Sequence, residues 1–286
     1  MVDTVDSKST AFGCGGSSPP EATNSRNSNK YSLVTVNNKI LRGHKKHMII
    51  KVMTYNLHKG KNLFGRRYDM DRLKSILDQE SCDIGLFQEV LGTHKLDKKI
   101  IAQNHRLTDD NWEGRTFAKN SIVKGFEHGN SIVSKKPILE EKVVDLTLNR
   151  LEKRSALLSL IDLGKIKIQC ICTHLNLRKS DRKKQTLMLI DFVKENEIQG
   201  VPIIIGGDFN DSDGEITNLL IKKGGFSFIE SKYKELTFPS FMPFLPLDRV
   251  LVKNLKVIES KAGSSKKYRS YSDHLPLFYK LEVNDL

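Results

Sequence analysis

Val201-Pro202-Ile203-Ile204-Ile205-Gly206-Gly207-Asp208-Phe209-Asn210-Asp211 is the stretch whose reading decides the fold. Its short apolar run, ending in two glycines, reads as a strand buried on both faces, the kind found in α/β sheets. Side chains alternate along a strand. Asp208 and Asn210 are therefore expected on one face if the extended backbone continues past the glycines. Ending a buried strand in a carboxylate and a carboxamide is costly unless something binds there. Gly206 and Gly207 would let a ligand or another backbone come close. Taken alone, the stretch is equally well a strand followed by an Asp-Asn turn. Other strands that end in the same residue types decide between the two.

Ile49 to Asn56 alternates as a strand, with Ile50, Val52, Thr54 and Asn56 on one face. Asp83 to Val90 is a second strand, carrying Gln88-Glu89 at its end. Gly129 to Ser134 is a third, stopped by Lys136-Pro137. Lys153–Ile161 and Lys165–Leu175 read as a hairpin around Leu163-Gly164, with Ile168, Cys170, Cys172 and His174 on one face. Asp248–Val252 and His274–Val283 are the last strands. Asp69 caps a helix with the stripe Met70, Leu73, Ile76 and Leu77. Further helices are expected over 94–107, from Ser180 or Asp181 to Glu197, and from Gly214 to Lys223. Alternation in some places and hairpins in others imply an α/β fold of one or two mixed sheets covered by helices.

The chain has 286 residues and a net charge of +13. Residues 1–47 hold seven basic and three acidic residues, so 48–286 carries +9 of its own. That excess fits a polyanionic partner, nucleic acid or an anionic lipid surface. Residues 1–47 are rich in Ser, Thr, Asn and Gly without an apolar period, and are expected to be disordered. Residues 15–23 also resemble a translated transfer-RNA gene end, so the true start is expected at Met48, with the upstream residues not translated. No apolar run approaches a membrane span and no signal-peptide pattern opens the chain. Four cysteines, without a partner set at zinc spacing, are expected as reduced thiols. A cytoplasmic monomer is the expectation.

Asn56, Glu89, His174, Asp208 and Asn210 all follow the carboxyl ends of strands, where α/β proteins gather ligands. Asp248, Asp273 and His274 stand before strands, and antiparallel pairing would bring them to the same rim. Carboxylates and carboxamides without thiolates favour Mg²⁺, with Mn²⁺ as a substitute, over zinc. A hard cation with two histidines suits hydrolysis of a phosphate ester. Singly, each of these residues is as well explained by a turn or a strand end; their joint arrangement is not.

Thr-Tyr-Asn (54–56), Gln-Glu-Val (88–90), Gly-Asn-Ser-Ile-Val-Ser-Lys (129–135), Thr-His-Leu (173–175), Gly-Asp-Phe-Asn (207–210), Leu-Asp-Arg-Val-Leu-Val (247–252) and Ser-Asp-His (272–274) stand in a telling order. Over 48–286 the chain resembles the endonuclease/exonuclease/phosphatase superfamily of deoxyribonuclease I-like proteins, and within it small bacterial members. The resemblance implies a four-layer sandwich of two mixed β-sheets flanked by helices. It implies Glu89 as the principal Mg²⁺ ligand, with Asn56 beside it and Asp273 in support. Asp208 and Asn210 would orient the water and the phosphate. His274, oriented by Asp248, would be general base or phosphate-stabilising group, and His174 general acid or transition-state donor. Arg154 matches a position that contacts substrate phosphate. Asn130 and Arg178 join it as substrate-binding candidates.

The loops after Asn56, Glu89 and His174 are basic, as is the approach to Asp273, which favours a nucleic-acid phosphodiester. Phe238 to Pro246 is apolar and proline-rich. It is either a loop packed on the core or an exposed patch beside the cleft, and the second would suit a phospholipid or other small phosphate ester. A non-catalytic phosphate-binding module is the third reading, and no expected catalytic position is visibly substituted in its favour.

Overall fold

The computed structural model describes residues 48–228 and 235–283, so the expectation for residues 1–47 lies outside the described residues. Six strands form one sheet: β1 (Ile49–Asn56), β2 (Ile84–His94), β3 (Gly114–Val123), β4 (Phe126–Ser134), β10 (Leu255–Ala262) and β11 (Leu277–Val283), in the order β10-β11-β1-β2-β4-β3. Five form the other, in sequential order: β5 (Ile138–Asp145), β6 (Ser155–Asp162), β7 (Lys167–His174), β8 (Ile203–Asp208) and β9 (Asp248–Lys253). Among the described strands only β1–β2 and β7–β8 pair in parallel, so both sheets are mixed.

Alternation sorts the side chains into layers. Ile50 and Val52 of β1 meet Leu157, Cys170 and Ile204 of the facing sheet in one buried cluster. Met53 and Tyr55 point the other way, onto α1 (Met70–Asp78) through Met70, Leu73 and Leu77. Asp69 caps that helix, accepting from the backbone N–H groups of Asp71 and Arg72. On the far side, Ile171, Ile203 and Ile205 pack against α3 (Lys179–Asn196) and α4 (Glu215–Gly224). The result is the four-layer sandwich. Every residue of β8 is buried, as the apolar run required.

Some local expectations fail. Residues 94–107 are not one helix: β2 runs on to His94, and only Gln103–Arg106, α2, is helical. Leu96, Ile100 and Ile101 face solvent, so the stretch has no buried apolar face to pack as a helix. The last strand begins at Leu277 rather than His274, because Leu275 N–H is spent on Thr237 O. A short fifth helix, α5 (Ser265–Tyr268), lies before it. Asp208 and Asn210 do not continue one extended face, since Asn210 turns to φ 51°.

The glycines of β8 serve backbone and sheet packing, not a ligand. Gly207 has φ 150°, and a Cβ there would lie 1.8 Å from Thr173 O on the paired strand. At Gly206 a Cβ would meet Leu86 Cδ1 at 2.8 Å, across the sheet interface. Gly207→Ala must therefore part β7 from β8. Its expected cost is about 3 kcal/mol, or a melting point lower by on the order of 10 °C, read by thermal denaturation.

Candidate active site

The site is built from strand register. Asp208 closes β8, and the pairing sets His174 of β7 on one side of it and Asp248 of β9 on the other. The second sheet contributes Asn56, opposite Gln88. Asn56 Nδ2 donates to Asp208 Oδ2 at 3.0 Å and so ties the two sheets together at their rim. The same oxygen lies 3.4 Å from His174 Nε2 and 3.5 Å from His274 Nε2. Its other carboxylate oxygen accepts from Asn210 N–H. His274 Nδ1 is 2.8 Å from Asp248 Oδ2, and the ring packs on Phe238. Asn56, His174, Asp208, Asn210, Asp248 and His274 are all buried.

Their environments separate their charges. Burial pushes the Asp208 carboxyl up, with Asp248 adding to it against the pull of His274 and Asn56, to about 7. Burial works against an imidazolium at His274, but Asp248 and Asp208 outweigh it and raise the ring to about 10. His174 goes the other way: burial, then the nearby Arg154 guanidinium, holds it well below the usual histidine range. The site thus holds a cationic and a neutral histidine on either side of one carboxylate.

Glu89 is not at the end of β2. It sits on a bulge between Phe87 and Val90 at φ 52°, a conformation a non-glycine residue adopts only under constraint. The bulge aims its carboxylate at the rim, 3.9 Å from His174 Nδ1 and in a salt bridge with Lys59. Burial opposes ionisation there, yet the pairing with His174 and Lys59 outweighs it and lowers the carboxyl. With His174 neutral, the Lys59 ammonium is the effective cation. Asp273 accepts from Ser272 Oγ and lies 3.3 Å from His58 Nδ1.

These donors are carboxylate and carboxamide oxygens, the set a hard divalent cation takes. That an ammonium already sits on Glu89 shows that the position attracts positive charge. Among the described residues, the group of three acidic and histidine side chains whose ligand atoms all come within 4.8 Å of one another is Asp208, Asp248 and His274. Glu89 and Asp273 are not part of that group, and its His274 Nδ1 is already bonded to Asp248.

The remaining sequence candidates divide. Asn130 Nδ2 donates to Ser155 O, leaving its Oδ1 buried without a partner. Arg154 reaches Glu152 through Nη2, and its Nε is likewise buried and unpartnered. Asn210 Nδ2 is spent on Leu175 O, bracing the exit of β7. Arg178 stands exposed at the start of α3, with no recorded contact to the cluster. Sequence reasoning missed His128, a buried ring whose Nε2 has no partner and whose pKa burial lowers to about 4, so it is neutral. The alternation that points Asn130 inward carries His128 with it, and was the available signal.

Residues 53–274 match the model of the Endonuclease/Exonuclease/phosphatase family. The chain belongs to this family. The uncharacterized protein YbhP of Escherichia coli (strain K12) is 32% identical over 245 residues, covering 82% of this chain and 96% of its own. Two solved structures share the fold at low identity. The mannosyl-6-phosphatase of Bacteroides thetaiotaomicron (TM-score 0.63, 16% identity) covers 81% of this chain and 99% of its own. TDP2 of D. rerio with a single-strand DNA product (TM-score 0.63, 17% identity) covers 82% and 98%. Endonuclease/exonuclease/phosphatase members hydrolyse phosphoester bonds, and this chain is an enzyme of that class. The family is typically divalent-metal dependent.

Proposed function

We propose that this enzyme is a Mg²⁺-dependent hydrolase of phosphoester bonds in a polyanionic substrate, and that Asp208 is the centre of its chemistry. The observation that carries the reading is the convergence of Asn56, His174 and His274 on one buried oxygen, Asp208 Oδ2. Glu89, Asn56 and Asp273 would hold the cation, with Mn²⁺ able to replace Mg²⁺. When bound, the cation polarises a phosphoryl oxygen and offsets charge in the transition state.

The residues then divide the work. Asp208, raised toward neutrality, accepts the proton of the attacking water. His274, kept cationic by Asp248, stabilises the charge that builds on the phosphoryl group. His174, neutral, offers an N–H to the departing oxygen. Arg154 and Asn130, each with a buried polar atom lacking a partner, face the substrate phosphate. Asn210 places Asp208 through its backbone N–H. On charge alone the basic loops suit nucleic acid, the phosphodiester polyanion first expected, and an anionic phospholipid surface equally.

The test is hydrolysis of plasmid, RNA, anionic phospholipid and sugar phosphate by the full chain in Mg²⁺, in Mn²⁺ and in chelator. Turnover of at least one phosphoester should fall to background in chelator and return with excess Mg²⁺. Turnover indifferent to chelator would sink the metal-dependent reading.

A further inference from the structure

Among the described residues, six large apolar side chains are at least 62% exposed: Phe64, Leu96, Ile101, Leu151, Leu177 and Met242. All six stand on loops at the rim that carries the site. Phe64 lies between Asn56 and α1, and Leu96 and Ile101 lie between β2 and α2. Leu151 precedes β6, Leu177 follows His174 by three residues, and Met242 precedes Asp248. Apart from Phe244, at 59% and on the same rim, no other large apolar side chain among the described residues exceeds the 51% of Val143. Soluble proteins scatter exposed apolar residues, and their concentration around one cleft marks an interaction surface.

The same loops are cationic. Lys61 and Arg66 flank Phe64, Lys95 and Lys98 flank Leu96, and Arg150 and Lys153 flank Leu151. None of these six cations has a recorded ion pair with another described residue. Beside Lys59, a groove is lined by Arg67, Arg106, Ile100, Ile101 and Phe126, again pairing cations with apolar side chains. The loop that bears Phe241 and Met242 is pinned to the site: Ser240 N–H donates to Asp273 O and Ser240 Oγ to Ser272 O.

We propose that this rim docks on an anionic phospholipid bilayer, with the apolar tips entering the acyl boundary and the Lys and Arg heads resting on lipid phosphates. The tips discriminate against nucleic acid. Five of the six, Leu96, Ile101, Leu151, Leu177 and Met242, have no ring on which a base stacks, Phe64 being the exception, whereas each gains by leaving water for hydrocarbon. Docking is independent of turnover. Its consequence, a phosphoester presented at a bilayer surface as substrate, rests on the hydrolase reading above.

The experiment is co-sedimentation of the full chain carrying Asp208→Ala, which spares the lipid, with vesicles of phosphatidylcholine alone or mixed with phosphatidylglycerol. Binding is expected to the mixed vesicles and to be weak on phosphatidylcholine. Adding Leu96→Ser, Leu151→Ser and Leu177→Ser should weaken it by on the order of 10-fold, with the melting point unchanged. Adding Leu139→Ser and Val143→Ser on the edge strand β5 instead should leave it intact. Equal binding with and without the three tips, or no binding to the anionic vesicles, would overturn the proposal. Because no turnover is measured, a failed hydrolase reading would leave this result standing.

Discussion

Asp208→Ala is expected to lower kcat by about 10⁴-fold on any phosphoester this enzyme accepts. The carboxylate is the shared partner of Asn56, His174 and His274, so its removal strips the proton acceptor and loosens three neighbours at once. The same substitution should not lower the melting point. Asp208 is buried beside a second carboxylate, Asp248, and its raised pKa reports the cost of holding it there. Relieving that cost offsets the lost hydrogen bonds, the pattern of a residue kept for chemistry rather than stability. Steady-state kinetics paired with thermal denaturation reads both halves. A large fall in the melting point would make the residue structural.

Glu89→Gln should weaken divalent-cation binding by about 100-fold or more, since the loss of even an outer partner of a metal site costs 10–100-fold. The substitution keeps the shape and the bulge but removes the charge. Glu89 holds a strained backbone and an ionised carboxyl in a buried setting, and both features need a cation to justify them. Lys59, partly exposed, is left able to turn to solvent, so the fold should hold. Calorimetric titration of Mn²⁺ into wild type and variant measures the difference. Equal affinities would move the cation to the Asp208, Asp248 and His274 group.

Much of this arrangement was legible because buried strands leave strong patterns. The apolar run into Asp208, and the alternation of Ile50 and Val52, placed the core faces and the rim correctly. Once the strand ends were known, His174, Asp208 and Asp248 followed from register. What escaped was set by tertiary context. Strand β5, Ile-Leu-Glu-Glu-Lys-Val-Val-Asp, is an edge strand exposed along most of its length, so it shows no buried face to read. Glu89 on a bulge carries no glycine to announce its positive φ. Residues 94–107 looked helical, yet Leu96, Ile100 and Ile101 stand in a surface loop, where apolar residues break the usual link between hydrophobicity and burial. His128 lay one alternation step from a residue already chosen.

The central claim is that Asp208 and His274 act as one unit around a shared oxygen. Residues that act as a unit lose activity non-additively. The decisive measurement is therefore kcat/KM in Mg²⁺ for wild type, Asp208→Ala, His274→Ala and the double variant, each with its melting curve. The account predicts a double variant scarcely slower than Asp208→Ala alone. Losses that multiply, each substitution removing its own independent factor, would contradict it.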